Sequence, residues 1–103
     1  MNSLETEFHE AMINIYKLAL KECNYRAKAF LGMVVEMGGL AAAKKLLASD
    51  VMQSGLYELF KCGRLDLTME TLALQNKYRE LFMAEELVEA QRRIDELRRK
   101  SQH

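Results

Sequence analysis

The feature that most constrains this chain is a three-to-four-residue apolar spacing that no proline interrupts. Leu4, Phe8, Met12, Ile15 and Ala19 recur at that interval from the N-terminus, with Ala11 and Leu18 beside them. This repeat lays one apolar stripe along a helix; a half-buried strand would instead alternate at every second residue. No segment shows sustained period-two alternation, and the absence of proline across 103 residues fits a chain made mostly of helices. Ala, Leu, Met, Glu, Lys and Arg, the straight-chain helix formers, dominate the composition.

The punctuation comes from other residues. Ser3 is placed to cap a first helix that runs to about Cys23, and Asn24 reads as a stop and restart because it tolerates left-handed backbone. A second helix is expected from Tyr25 to Met37, with Ala27, Phe30, Leu31, Val34 and Met37 as its apolar face and Arg26, Lys28 and Glu36 away from its centre. Gly38-Gly39 ends it, Gly38 serving as a C-terminal cap. A short Ala-rich helix covers Leu40 to Ala48, and Asp50 to Gln53 carries a capping-box pattern. Ser54 caps a fourth helix over Gly55 to Cys62, which Gly63 closes. Arg64 to Leu67 reads as an extended connector with Asp66 as a turn former, and Thr68 caps a fifth helix. Asn76 to Phe82 reads as an irregular helical turn. The last helix begins near Ala84 with Leu87, Ala90, Ile94 and Leu97 as its inner stripe. The expected fold is all-α, a compact single-domain bundle of five to six helices over residues 1–103, with a longer first and last helix and residues 1–2 and 99–103 frayed.

Charge and cysteine content bound the function. Fifteen basic residues against fifteen acidic ones leave no surplus of positive charge to draw nucleic acid or an anionic membrane. The N-terminal segment lacks the basic and apolar regions of a signal peptide, and the most weakly charged stretch, Ala29 to Ala43, is too short to span a bilayer. Cys23 and Cys62 lie outside any C-x-x-C pair and read as small buried thiols in a reducing cytosol; a bridge between them has no support from the sequence. A cytoplasmic protein without a membrane partner is the expectation.

A search for chemistry returns little. His9 and His103, the two histidines, stand at opposite ends of the chain, which leaves no metal-ligand spacing and no base to activate Ser54 or either cysteine. His9 reads as a surface or boundary residue. None of the glycines forms a phosphate-cradle motif; Gly39 with Lys44 and Lys45 is the candidate anion contact. Carboxylates such as Asp66 with Glu70, and Glu85-Glu86 with Glu89, fall at helix starts where they complement the dipole. No catalytic, cofactor-binding or metal residue is assigned, and an enzyme is not expected. The methionines on apolar stripes, among them Met12, Met33, Met37, Met52 and Met69, read chiefly as core.

Two stretches together resemble a poorly characterised bacterial family of small helical domains. One runs from Tyr25-Arg-Ala-Lys-Ala-Phe-Leu-Gly-Met-Val to Gly38-Gly39-Leu-Ala-Ala-Ala-Lys-Lys-Leu-Leu. The other holds Gly55-Leu-Tyr-Glu-Leu-Phe, Gly63-Arg-Leu-Asp-Leu-Thr-Met-Glu-Thr-Leu-Ala-Leu, Leu81-Phe and Glu85-Glu-Leu-Val-Glu-Ala. The resemblance covers about residues 8 to 97 and departs at Phe60, where the family tends to carry Trp, and at Met83, where it tends to carry a capping Thr. It implies a bacterial origin and a compact helical fold, and it brings no activity with it.

The remaining candidate is an interaction surface on the charge-laced last helix, at Arg92, Arg93, Arg98, Arg99 and Lys100. A non-enzymatic helical module that binds a protein partner or itself is the leading expectation. A nucleic-acid-associated accessory protein using that basic end is the alternative.

Overall fold

Among the described residues six α-helices follow the apolar stripes of the sequence. The computed structural model describes residues 3–49 and 54–100, and for Ser54 the backbone alone. Helix α1 spans Ser3–Cys23, α2 Lys28–Met37, α3 Gly39–Ala48, α4 Ser54–Lys61, α5 Met69–Ala73 and α6 Ala84–Lys100. Two 3₁₀ turns, Leu65–Leu67 and Asn76–Leu81, supply the connections around α5. There is no strand among the described residues, and the radius of gyration is 12.9 Å. The chain is a compact all-α domain whose first and last helices are the long ones, at 21 and 17 residues.

Phe8, Met12, Ile15 and Ala19 turn one face of α1 inward, as their spacing requires. Around them gather Val34 of α2, Ala42, Ala43, Leu46 and Leu47 of α3, and Met69, Leu72 and Ala73 of α5. Phe8 sits edge-on to both Tyr78 and Phe82, with ring centroids 5.1 and 5.5 Å away. That geometry suits the ring quadrupoles. A smaller cluster of Leu56, Ile94 and Leu97 joins α4 to α6.

The expected caps at Asn24, Gly38, Gly63 and Thr68 are in place. Asn24 adopts φ 53°, and Gly38 and Gly63 take φ 91° and 78°. Gly38 donates its N–H to Val34 O to close α2, while its carbonyl accepts from Ala42 N–H at the start of α3. Thr68 Oγ1 accepts from Thr71 N–H at 3.2 Å. Ser3 is helical in α1 and does not stand outside the helix as a cap would. Helix α6 continues through Lys100, beyond the point at which fraying was expected. The capping-box pattern at Asp50 to Gln53 and the side chain of Ser54 lie outside the described residues.

Three expectations are corrected. Helix α2 starts at Lys28, three residues late, because Tyr25 N–H donates back to Ala19 O and so completes α1. The Arg64–Leu67 connector is a 3₁₀ turn, held by Leu67 N–H to Arg64 O and by a two-pronged Arg64–Asp66 ion pair. Cys23 and Cys62 are joined in a disulfide with their Cα atoms 5.9 Å apart. The fold brings the end of α1 against the end of α4 there, a juxtaposition that a 39-residue separation conceals.

One ionic interaction lies inside the fold. Arg93 of α6 and Glu70 of α5 are 3% and 2% exposed and pair at 2.9 Å. The same guanidinium donates to the carbonyls of Leu46, Leu47 and Ser49, at 3.1, 3.4 and 2.9 Å, and to Glu89 at 2.6 Å. Arg93 therefore serves as the C-terminal cap of α3 from another helix, using the planar fork that only arginine offers.

Two stability outcomes follow from these contacts. Arg93→Met is expected to lower the unfolding free energy by about 3–5 kcal/mol, because it leaves Glu70 buried without a counter-charge. Pairing it with Glu70→Met recovers only part of that loss, since the Arg93 hydrogen bonds to the carbonyls at the end of α3 are still lost. Urea unfolding followed by circular dichroism checks both, and a loss below about 0.5 kcal/mol, the surface-substitution range, would refute the capping role. Reducing the disulfide is expected to cost up to about 4 kcal/mol through the freed loop entropy, read in the same assay with and without reductant.

Candidate functional site

The basic end of α6 is less exposed and less positive than its sequence suggests. Arg93 is buried and belongs to the interior, which removes it from the expected interaction surface. It falls on the inner stripe because it stands one residue before Ile94 and three after Ala90. Arg92 is held on the helix surface by Glu89, through two hydrogen bonds of 2.9 Å, and by Glu96 at 3.4 Å. Arg98, Arg99 and Lys100 are exposed. The Arg92 guanidinium foremost, and Arg93 with it, holds the Glu89 carboxyl at about 2, against the cost of partial burial.

The expected anion contact is not assembled. Gly39 N–H donates to His9 Nδ1 at 2.9 Å, so the α3 N-terminus is already capped by a side chain of α1. Gly39 is required there for space, since a Cβ would come within 2.7 Å of the His9 backbone. Lys44 reaches Glu86 at 2.7 Å and lies 5.2 Å above the Phe82 ring, while Lys45 is exposed on another side of α3. Glu86 also accepts from Met83 N–H at 2.7 Å, which caps α6 where the family resemblance would have placed a threonine.

The surface that stands out is on α2. Seven of its ten residues are apolar side chains, Ala29, Phe30, Leu31, Met33, Val34, Val35 and Met37, yet only Val34 is buried. Val35 is 67% and Met37 38% exposed. The broad apolar face expected for this helix thus packs on α1 and α3 only along the Val34 side. The exposed positions are Lys28, Ala29, Gly32, Val35, Glu36 and Met37. The site where a Gly32 Cβ would stand has no atom within 4 Å. Lys28 and Glu36 form no ion pair with any described residue.

Beside α2 opens a cavity of about 370 Å³ between α1, α2, α4 and α5. Ile15, Phe30, Met33, Leu46, Leu56, Leu59 and Met69 supply apolar walls, and the small residues Ala19, Ala27 and Gly55 leave the space unfilled. Two polar groups on its lining are already satisfied: Thr68 donates its hydroxyl to Leu65 O at 2.8 Å, and Glu70 pairs with Arg93. Arg26, just before α2, and Lys28, its first residue, line it as well and have no acidic partner among the described residues. In the sequence these two residues show only as lying off the apolar centre of a helix, because the cavity arises from four elements distant in sequence. No cluster of three or more His, Cys, Asp or Glu stands close enough to hold a metal ion among the described residues, and no described helix is long and apolar enough to cross a membrane. Compared with known proteins, the chain matches no family model, no curated protein and no solved structure.

The acid response of the Glu89 cluster can be measured. Glu89 titrates at about 2 in the folded chain against an ordinary 4.5, so between those values the unfolded chain binds more protons. Its contribution is therefore complete above pH 4.5 and is lost as pH falls toward about 2. Chemical denaturation across that window is expected to show stability rising with pH, with a shallower rise in Glu89→Gln; an identical slope in the variant would exclude Glu89 as a source.

Proposed function

We propose that this chain is a non-enzymatic helical interaction module, and that it associates with a second copy of itself through the exposed face of α2. The observation that carries the reading is the chemical symmetry of that face. About Gly32, four of the other five exposed positions fall at equal steps on either side: Ala29 and Val35 at three residues, Lys28 and Glu36 at four. Laid antiparallel about a two-fold axis through Gly32, small meets small, apolar meets apolar, and each lysine meets a glutamate. Both ends of the contact are then neutralised by the same pair.

Gly32 supports the same reading. A glycine inside a helix costs about 1 kcal/mol relative to alanine, and the missing Cβ admits no neighbour from its own chain. A second backbone crossing there would make use of it. Helix α2 has ten residues, which makes it ~15 Å long. A contact of that length is smaller than the ~1,600 Å² of a standard stable interface, so the association is expected to be weak and concentration-dependent. The resemblance to small bacterial helical domains, which carries no activity, accords with a binding role and belongs to this proposal. So does a cytoplasmic setting, with one consequence: Cys62 is exposed, and a reducing cytosol would hold the Cys23–Cys62 bridge open.

Sedimentation equilibrium over a wide concentration range tests the pairing. The wild-type mass is expected to rise toward a dimer. Glu36→Lys should weaken association by about tenfold through like-charge contact, and adding Lys28→Glu should restore it by swapping the pair. A monomer at every concentration, or a double variant no better than the single one, would refute self-association through α2.

A further inference from the structure

We propose that the cavity beside α2 is a binding site for a single-chain alkyl carboxylate, its chain in the apolar interior and its carboxylate against Arg26 and Lys28. Three observations on the molecule converge on this ligand class. The first is volume. At about 370 Å³ the space falls within the range of small-molecule sites, and it is walled by Ile15, Phe30, Met33 and Leu59, with Thr68 and Glu70 of its lining already hydrogen-bonded. An unbranched hydrocarbon needs only such a surface.

The second is charge. Glu70, the acidic group on the lining, is neutralised inside the fold by Arg93, while Arg26 and Lys28 are exposed cations with no acidic partner among the described residues. The cavity therefore presents net positive charge to solvent at one place, and an anionic head group complements it. The third is the start of α2 itself. Ala27 offers no side-chain cap, and among the described residues the amides of Ala29 and Phe30 have no acceptor. They add donors at the end of the cavity where the two cations stand, and the positive end of the helix dipole favours the same charge. A neutral head group would keep the hydrogen bonds and forgo the charge attraction, and a cationic one would be repelled.

This inference shares Lys28 with the pairing through α2 but does not rest on that pairing, because it uses the inner side of the helix and Arg26, which lies outside the symmetric face. Isothermal titration with decanoate below its micellar concentration tests it, alongside decanol, decyltrimethylammonium and vesicles of anionic phospholipid. Decanoate is expected to bind at one site per chain, decanol about tenfold more weakly, and the cationic amphiphile not at all. Arg26→Glu, an exposed change that leaves the fold intact, should weaken decanoate by about tenfold while leaving decanol unaltered. Met33→Trp, which fills the cavity, should weaken both. Amide shifts on adding decanoate are expected at Phe30, Leu56 and Leu59. Equal binding of all three head groups, an unchanged affinity in Arg26→Glu, shifts confined to the basic end of α6, or binding to vesicles without binding to decanoate would each overturn the assignment.

Discussion

Arg93 organises the interior of this protein because its guanidinium satisfies demands from three elements at once. Helix α3 ends inside the fold, where its last carbonyls would otherwise be shut away from water, and Arg93 donates to Leu46, Leu47 and Ser49 there. Glu70 of α5 supplies the counter-charge at 2.9 Å, and Glu89, one turn back on α6, accepts at 2.6 Å. A buried charge is costly unless it is paired and its donors are used. Here the donors are spent on groups from α3, α5 and α6, so the relative placement of those helices is fixed by hydrogen-bond geometry as well as by apolar contact. No buried polar side-chain atom among the described residues is left without a partner.

That constraint has consequences at the surface. With α3, α5 and α6 locked together around Phe8 and Met12, α2 is laid on α1 and α3 through Val34, and α4 is held to α6 through Leu56 and to α1 through Leu59. These two helices are less deeply embedded. Helix α2 buries only Val34, and the space between α2, α4 and α1 is the cavity. The ionic pattern repeats the division. Lys44–Glu86, Arg64–Glu22 and Lys77–Glu7 tie separate elements together, whereas Lys28 and Glu36 on α2, and Arg26 just before it, make no such tie among the described residues. Elements with few buried contacts and unpaired charge are where binding costs the fold least.

Much of the architecture could be read along the chain, and the reasons are local. The stripe Phe8, Met12, Ile15, Ala19 specifies a helix and its inward face by spacing alone. Asn24, Gly38, Gly63 and Thr68 mark boundaries through backbone preferences and side-chain reach within a few residues, and each performs that role in the structure. The charge of Arg93 obscured its position. It lies three residues after Ala90 and four before Leu97, squarely on the inner stripe, and Glu70 follows Met69 on the buried side of α5. A charged residue in phase with an apolar stripe is the signal that would have found the pair, with the partner supplied by another stripe carrying the opposite charge. His9 gave no such signal, because its acceptor role depends on a glycine amide thirty positions away.

By itself the sequence determined the helical class, the order and polarity of the helices and most of their ends, since these depend on spacing, caps and dipoles that act over one or two turns. Tertiary structure decided which charges are interior, which face of α2 is left uncovered, that Cys23 meets Cys62, and that a cavity opens beside Arg26 and Lys28. Each of these depends on the approach of segments tens of residues apart. The distance between such segments is set by how whole helices pack, and no local pattern in the chain encodes it.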